Sequence, residues 1–365
     1  MKKILCVIGT RPNYIKVTQF EKAFSKYEGQ FDFRMLHTGQ HYDAKMKDVF
    51  FEQLGLKKID YALNCGEGNP NQLIGNIILK MDEVLHEWKP DLVLVVGDVN
   101  STMAAAIACN KAGVRLAHIE SGLRSFDNTM PEEFNRIVTD DLSNFFFVTE
   151  PSGKENLLRE GKSESQIFEV GNTMIDTLVA FENQIDQSKI IEELNLNNEP
   201  FILITMHRPA NVDSKDQLIK MAALFSEVGK KYKLVFPIHP RTRNHISQFG
   251  IENEFSGNKN LMLLDPLDYF AFQKLVKHCK LVITDSGGIQ EETTFRKVPC
   301  LTLRPNTERP ITVEIGSNEL IDYDTEIILN KISAIENGTF KKGKIPTLWD
   351  GNASERIVKV ISEII

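Results

Sequence analysis

Short, almost unbroken apolar runs, each ending at a cluster of polar or small residues, constrain this chain more than any other feature. ILCVI at 4–8 ends at Gly9 and Thr10, and DLVLVV at 91–96 ends at Gly97 and Asp98. VRLAHI at 114–119 ends at Glu120, Ser121 and Gly122, and NFFFV at 144–148 ends at Thr149 and Glu150. The pattern then restarts. FILI at 201–204 runs into Thr205, Met206, His207 and Arg208, and LVFPI at 234–238 into His239 and Pro240. LMLL at 261–264, LVI at 281–283 and VPCLTL at 298–303 follow, ending at Asp265, at Thr284-Asp285-Ser286 and at Arg304. A strand with one face in water alternates apolar and polar residues. A strand without alternation is covered on both faces, as in a parallel sheet with helices on either side. Helical patterns fill the intervals. The expected fold is α/β, with two Rossmann-like doubly wound domains in tandem. Ligands of such sheets bind beyond the carboxyl ends of the strands, where nearly every polar cluster stands. Facing strand ends of two domains make a cleft, so an interdomain active-site cleft is expected.

The 365 residues suffice for two cores, and the boundaries read as 1–175, joined by an amphipathic C-terminal helix at 354–365, and 176–353. The polar stretch 183–199 reads as helix plus linker. A net charge of −7 argues against nucleic acid as the main partner. No run approaches the ~20 apolar residues of a membrane helix, and no signal-peptide pattern follows Met1. Cys6, Cys65, Cys109, Cys279 and Cys300 are scattered, without a CxxC pair. A cytoplasmic protein is expected, with no membrane partner.

The polar clusters suggest chemistry. GTRPNYIK at 9–16 stands where a dinucleotide fingerprint would, but G-x-G-x-x-G is absent. Arg11 and Lys16 stand there instead, cations suited to phosphate or carboxylate. Asp98 has alternative helix caps beside it in Asn100 and Ser101, which frees it to face a ligand. Glu120 ends a buried strand and needs a partner or a task. Glu132 and Glu133 open a helix after Pro131, where one of them can serve the dipole alone. His207 is a candidate for proton transfer, and His239 and Arg241 add positive charge. Ser286, Gly287 and Gly288, between a strand and a helix, form a phosphate cradle. Glu291 reads as a helix-surface acid. A metal is not expected, because H-x-x-x-H, Cys/His spacing and a compact Asp cluster are absent, and a serine hydrolase would need G-x-S-x-G.

Taken in order, GTRPNYIK, GDVNST, HIESGLRS, PEEFNR, GNTMIDTL, MHRPANVD, DSGGIQEE and TERP resemble the non-hydrolysing UDP-N-acetylglucosamine 2-epimerases along nearly the whole chain. The resemblance implies a glycosyltransferase-B type fold, a C-terminal helix returning to the first domain, a homodimer, and no cofactor. It implies inversion of C2 in UDP-GlcNAc to give UDP-ManNAc, through loss of UDP to a 2-acetamidoglucal and its re-addition. Asp98, Glu120 and Glu132 match the family's catalytic carboxylates, two of which would handle the C2 proton on its two faces. His207 matches the histidine that stabilises or protonates the leaving diphosphate. Arg11 would add charge there, and Lys16 matches an active-site lysine. Phe272 matches a residue near the uracil and Arg309 a nucleotide-side cation. Ser286, Gly287 and Gly288 would take the diphosphate. Glu292 matches the ribose ligand, about 6–9 Å further along the helix at ~1.5 Å per residue.

Gln40, His41, Arg208 and His239 match a second site at which UDP-GlcNAc activates relatives. Around them the chain departs from many bacterial members: HRPAN at 207–211 replaces HRREN, Asp43 replaces a Gln, and an Arg is missing near Asn76. Conventional activation is therefore not expected. Leu267 stands where some relatives have a nucleotide-contacting Gln. Alternatives are the same chemistry on a UDP-2,3-diacetamido-uronic acid, with Arg241 or Arg243 facing its carboxylate, and a glycosyltransferase on the same fold. A hydrolysing epimerase and a non-catalytic sensor are further alternatives. The clustered acids favour C2 proton chemistry.

Overall fold

The computed structural model describes the chain apart from residues 41–52, 57–58, 67 and 198. It divides into two compact units, Met1–Ala180 with Thr347–Ile365, and Phe181–Pro346. Among the described residues the first unit is built on a seven-stranded sheet. Its strands are β1 (Lys2–Ile8), β2 (Phe31–His37), β3 (Tyr61–Ala62), β4 (Leu92–Val96), β5 (Leu116–Ile119), β6 (Phe145–Val148) and β7 (Ile167–Glu169). They lie in the order β3-β2-β1-β4-β5-β6-β7, every pair parallel. The second unit carries a six-stranded parallel sheet of β8 (Phe201–Thr205), β9 (Lys233–Pro237), β10 (Leu261–Leu264), β11 (Leu281–Thr284), β12 (Cys300–Leu303) and β13 (Asn318–Ile321). Its order is β10-β9-β8-β11-β12-β13.

The apolar runs are explained by burial on both faces. Ile202, Ile204, Leu234 and Phe236 pack on one side against Leu218, Met221 and Phe225 of the helix Lys215–Val228. Their neighbours Leu203, Val235 and Val282 pack on the other side against Leu275 and Val276 of the helix Tyr269–His278. In the first unit Leu5, Val7, Val93 and Val95 meet Ile77 and Met81 of the helix Pro70–Trp88 and Ala104 and Ala105 of the helix Asn100–Ala112.

Each unit begins with an inner strand. β1 lies between β2 and β4, and β8 between β9 and β11. The chain winds outward on one side of that strand, then returns and winds outward on the other. The helices leaving the two central strands diverge to opposite faces, which opens a crevice at their carboxyl ends. In the first unit the crevice falls after β1 and β4, in the second after β8 and β11.

β2, β3, β7 and β13 have no counterpart in the apolar runs. β2, FDFRMLH, is only half-buried over its first residues, because β3 beyond it is two residues long and shields little. The 183–199 stretch, expected as helix plus linker, does carry helix, and part of it is packed into the core. Helices Glu182–Gln187 and Ile190–Glu193 form there, and Ile190, Ile191 and Leu196 are buried in the core beside Leu275 and Val276. Glu182 pairs with Lys277 at 2.7 Å and with Arg296 at 3.0 Å.

The last helix, Ala353–Ile364, buries Ile357, Val358 and Ile361 within the first unit. Asp176 caps it: its carboxylate accepts from the backbone N–H of Ala353 at 2.9 Å and of Ser354 at 2.6 Å. Trp349 Nε1 donates to the Thr149 carbonyl at 3.0 Å, and Arg356 Nη1 to the Val170 carbonyl at 2.9 Å.

Candidate functional site

In the first unit the helix Arg11–Val17 starts directly after β1, with half-buried Arg11 as its first residue. Asn13 Oδ1 accepts from the N–H groups of Gly9 and Thr10, each at 3.1 Å, and its Nδ2 donates to the Val96 carbonyl at 3.0 Å. One buried amide thus ties the end of β1 to the end of β4. One turn on, Lys16 Nζ lies 2.5 Å from Glu120 Oε2, with only 6% and 2% of the two side chains exposed. A buried carboxylate needs such a counter-charge. Glu120 itself has a left-handed φ of 68°, a conformation that costs a residue with Cβ about 1–2 kcal/mol. Strain of this kind collects at functional positions. Gly97 has φ 68°, and a Cβ there would stand 3.3 Å from Lys16 Nζ and 3.7 Å from Glu120 Oε2. The ion pair therefore rests against the turn that precedes Asp98.

Val99, rather than Asp98, is the N-cap residue of the following helix. Its Oδ2 accepts from Arg136 Nε at 3.0 Å and Nη2 at 2.8 Å. The helix Pro131–Leu142 supplies this arginine, and also Asn135, whose Nδ2 donates to the Asp98 carbonyl at 2.8 Å. Glu133 is the structural acid of its pair. It bonds Arg136 and accepts from Ser125 Oγ at 2.9 Å and from the Phe126 N–H at 2.9 Å. Glu132 is half-buried and lies four residues before Arg136, so the two share a helix face. Behind the site, buried His118 spans from the Gly97 carbonyl at 2.8 Å to Asp140 Oδ1 at 2.6 Å. Asp140 also meets Arg124 Nη1 at 2.7 Å. Burial alone would raise Asp140, but His118 and Arg124 outweigh it and hold the carboxyl below the usual carboxylate range.

In the second unit Ser286, Gly287 and Gly288 are half-buried at the start of the helix Gly287–Arg296. Ser286 is the N-cap residue, and its side chain makes no capping bond. A helix start of this kind presents N–H groups and a positive dipole end to an anion. Arg309 comes to the same place. A Cβ at Gly287 would stand 2.9 Å from Arg309 Nη1, so the guanidinium lies directly against the glycine. Glu291 is not a surface acid: it is fully buried, with Oε2 2.8 Å from Arg309 Nε. The helix turns it inward because β12 and the 304–310 turn cover that side. Glu292 is also buried, and the Tyr269 hydroxyl is pushed up by its own burial and then by the Glu292 charge. Phe272 is half-buried on the helix Tyr269–His278, against the same core as Leu267.

His207 and Arg208 follow β8 and meet Asp285, which follows β11. His239 caps the helix Pro240–Gln248 by accepting from the Arg241 N–H at 3.2 Å, and its ring lies 6.3 Å from that of His207. Gln40 Oε1 accepts from Ser101 N–H at 2.9 Å and Ser101 Oγ at 2.7 Å, securing the start of the helix Asn100–Ala112. His41 lies outside the described residues. Arg241 pairs with Asp213, and Arg243 with Asp265 at 3.0 Å. Among the described residues no group of three or more His, Cys, Asp or Glu is placed to hold a metal ion. No described helix is long and apolar enough to cross a membrane.

The structure thus gathers Lys16, Glu120, Asp98 and Arg136 in one unit, and His207, Arg208, Asp285, Ser286 and Arg309 in the other. Asn13, Arg136, His118 and Asp285 were not picked out as site residues from the sequence. Each stands inside one of the motifs quoted above, and strand order was the missing signal.

Two doubly wound parallel sheets, each with charged and small residues at its switch point, define a tandem Rossmann-like α/β protein. Comparison with known proteins makes this specific. The family described as UDP-N-acetylglucosamine 2-epimerase matches residues 23–362. A UDP-N-acetylglucosamine 2-epimerase of Methanococcus maripaludis is 40% identical, over 99% of this chain and 98% of the relative. A UDP-2,3-diacetamido-2,3-dideoxy-D-glucuronate 2-epimerase of Pseudomonas aeruginosa is 36% identical, over 99% and 100%. The crystal structure of the Methanocaldococcus jannaschii UDP-GlcNAc 2-epimerase, in complex with UDP-GlcNAc and UDP, superposes with a TM-score of 0.89 at 38% identity, over 99% of each chain. The chain belongs to the UDP-N-acetylglucosamine 2-epimerase family, a family of isomerases of glycosyltransferase-B-like fold.

Proposed function

We propose that this protein interconverts UDP-N-acetylglucosamine and UDP-N-acetylmannosamine by inverting C2 of the sugar. The observation that carries the reading is the pair Asp98 and Glu120. They end neighbouring strands, and each is held by its own buried cation, Arg136 and Lys16. A carboxylate takes the C2 proton while the bond from C1 to the UDP oxygen breaks. The electrons of the C2–H bond become the C1=C2 double bond, and those of the C1–O bond leave with UDP. The products are 2-acetamidoglucal and UDP. A carboxylate on the opposite face then returns a proton to C2, and the UDP oxygen bonds C1 again. The sequence is redox-neutral. Two of Asp98, Glu120 and Glu132 serve the two faces.

Departure of UDP concentrates negative charge on the diphosphate. Fixed donors lower that barrier because they are already oriented when the charge develops. Ser286, Gly287 and Gly288 supply the donors, with Arg11 and Arg309 as cations, and His207 stabilises or protonates the leaving group. Phe272 packs near the uracil and Glu292 holds the ribose. The second-site residues Gln40, His41, Arg208 and His239 go with simple saturation by substrate, since their surroundings depart from activated relatives. The working assembly is a cytoplasmic homodimer, and its product feeds cell-surface polysaccharide synthesis.

Incubation with UDP-GlcNAc in D₂O, followed by proton NMR, tests the reading. UDP-ManNAc is expected to appear with deuterium at C2. Turnover of the uronic-acid sugar alone would move the assignment to that substrate.

A further inference from the structure

Asp285 is fully buried at the end of β11, yet it collects donors from a single short stretch after β8. Its carboxylate accepts from the His207 N–H at 3.1 Å, the Arg208 N–H at 2.9 Å and Asn211 Nδ2 at 3.0 Å. Its Oδ1 also lies 3.2 Å from His207 Nδ1, while 46% of the His207 side chain is exposed. An ionised carboxylate can only accept, so Nδ1 must carry the proton of this contact. Burial acts to raise Asp285, but the His207 contacts, Asn211 and the Arg208 N–H outweigh it and keep the carboxyl below its usual range. With Nδ1 committed inward, Nε2 is the ring atom left for a ligand.

The surroundings leave Asp285 in charge of that ring. His239 faces the imidazole at 6.3 Å between centroids and is engaged with the Arg241 N–H. Arg208 Nε donates to the Asp285 carbonyl at 2.9 Å. Tyr323 follows β13, and its buried hydroxyl is pushed up by desolvation and by the Asp285 charge.

We infer that Asp285 is a positioning residue of the epimerisation: by accepting from Nδ1–H it orients the His207 ring and pairs with the imidazolium, whose Nε2–H then points at the diphosphate. This rests on the reading of His207 as the group that meets the leaving UDP. Asp285 touches no reacting atom and acts through the imidazole. Without it the ring is free to flip, and only a fraction of molecules presents Nε2–H to the diphosphate. Turnover then falls while nucleotide binding, held by the 286–288 turn and Arg309, persists. A carboxylate that merely closed the turn between β8 and β11 would leave the tautomer indifferent.

Long-range ¹H–¹⁵N correlation spectra of the ¹⁵N-histidine-labelled full chain with UDP, at alkaline pH where imidazole carries one proton, test this. Asp285→Asn and His207→Gln are compared with the parent, the latter assigning the resonance. The parent is expected to show His207 in the Nδ1–H form. Asp285→Asn should show mixed tautomers and a kcat lower by ~10²–10⁴-fold with KM within a few-fold, as expected for loss of a histidine-orienting carboxylate. A parent ring in the Nε2–H form overturns the inference without recourse to any variant. So does Asp285→Asn with an unchanged tautomer or parental kcat. If His207→Gln turns over like the parent, the role of His207 itself falls, and the spectra still decide whether Asp285 orients the ring.

Discussion

Asp98 and Glu120 face opposed demands. Each must be compensated to exist where it does, yet each must stay available to the sugar. Arg136 and Lys16 meet the first demand, at 2.8 Å and 2.5 Å. A positioned general base contributes ~10²–10⁴-fold, so Asp98→Asn and Glu120→Gln should each lower kcat by about that factor. Circular dichroism should remain parental well below the melting transition, because the isosteric amides keep the volume, while Glu120→Gln should lower stability by leaving buried Lys16 unpaired. Near-parental rates in both variants would remove them from the mechanism. Asp140 makes a different prediction. Its folded carboxyl is held below the ordinary range, so the stability it adds is complete above the unfolded value and is lost as pH falls through the folded one. Asp140→Asn should cost about 3–5 kcal/mol near neutrality, the usual loss when a buried pair is broken. It should also flatten the acid limb of stability. Urea titrations between neutral and strongly acidic pH check both, and an unchanged acid limb would refute the argument.

Among elements, the C-terminal helix depends on residues far from it in sequence. Gly171 has φ 85°, and a Cβ there would drive into the Leu348 carbonyl, so the chain passes only because glycine lacks one. Asp176 supplies the acceptors for the first N–H groups of Ala353–Ile364. Loss of such a cap costs about 1–2 kcal/mol, and strain with overlap at a left-handed glycine about 2 kcal/mol. Asp176→Ala and Gly171→Ala should therefore speed amide exchange in Ala353–Ile364 before other segments. Uniform acceleration across the first unit, or none, would contradict a local anchoring role.

At the scale of the molecule, chain continuity separates the two units. Phe181–Pro346 is one unbroken segment with its own sheet and cores. The first unit needs both chain ends, because Ile357, Val358 and Ile361 complete its packing. A fragment of residues 181–346 is expected to unfold cooperatively by itself. Deleting 347–365 should lower the melting temperature of the first unit and leave that of the second in place. Calorimetry of the fragment and the truncation decides this. A fragment without a cooperative transition would show that the second unit is not self-sufficient.

The amino-acid sequence determined the inner strands, since a run such as LVLVV has no exposed face to mark with polar residues. It placed Asp98, Glu120, His207 and Ser286 at strand ends, because the change from apolar run to polar cluster is local. It left β2, β3, β7 and β13 unmarked, since partly exposed or very short strands bury too little to look apolar. It also put Glu291 on a surface, because adjacent helix positions look alike until their neighbours are known. Tertiary structure decided the strand order, and with it which strand ends meet. Asn13 reaching Val96, Arg136 reaching Asp98 and Asp285 reaching His207 all cross between elements whose adjacency no local pattern encodes. Side-chain type is written residue by residue. The counter-charge that makes a buried side chain tolerable belongs to whichever strand or helix the fold lays beside it.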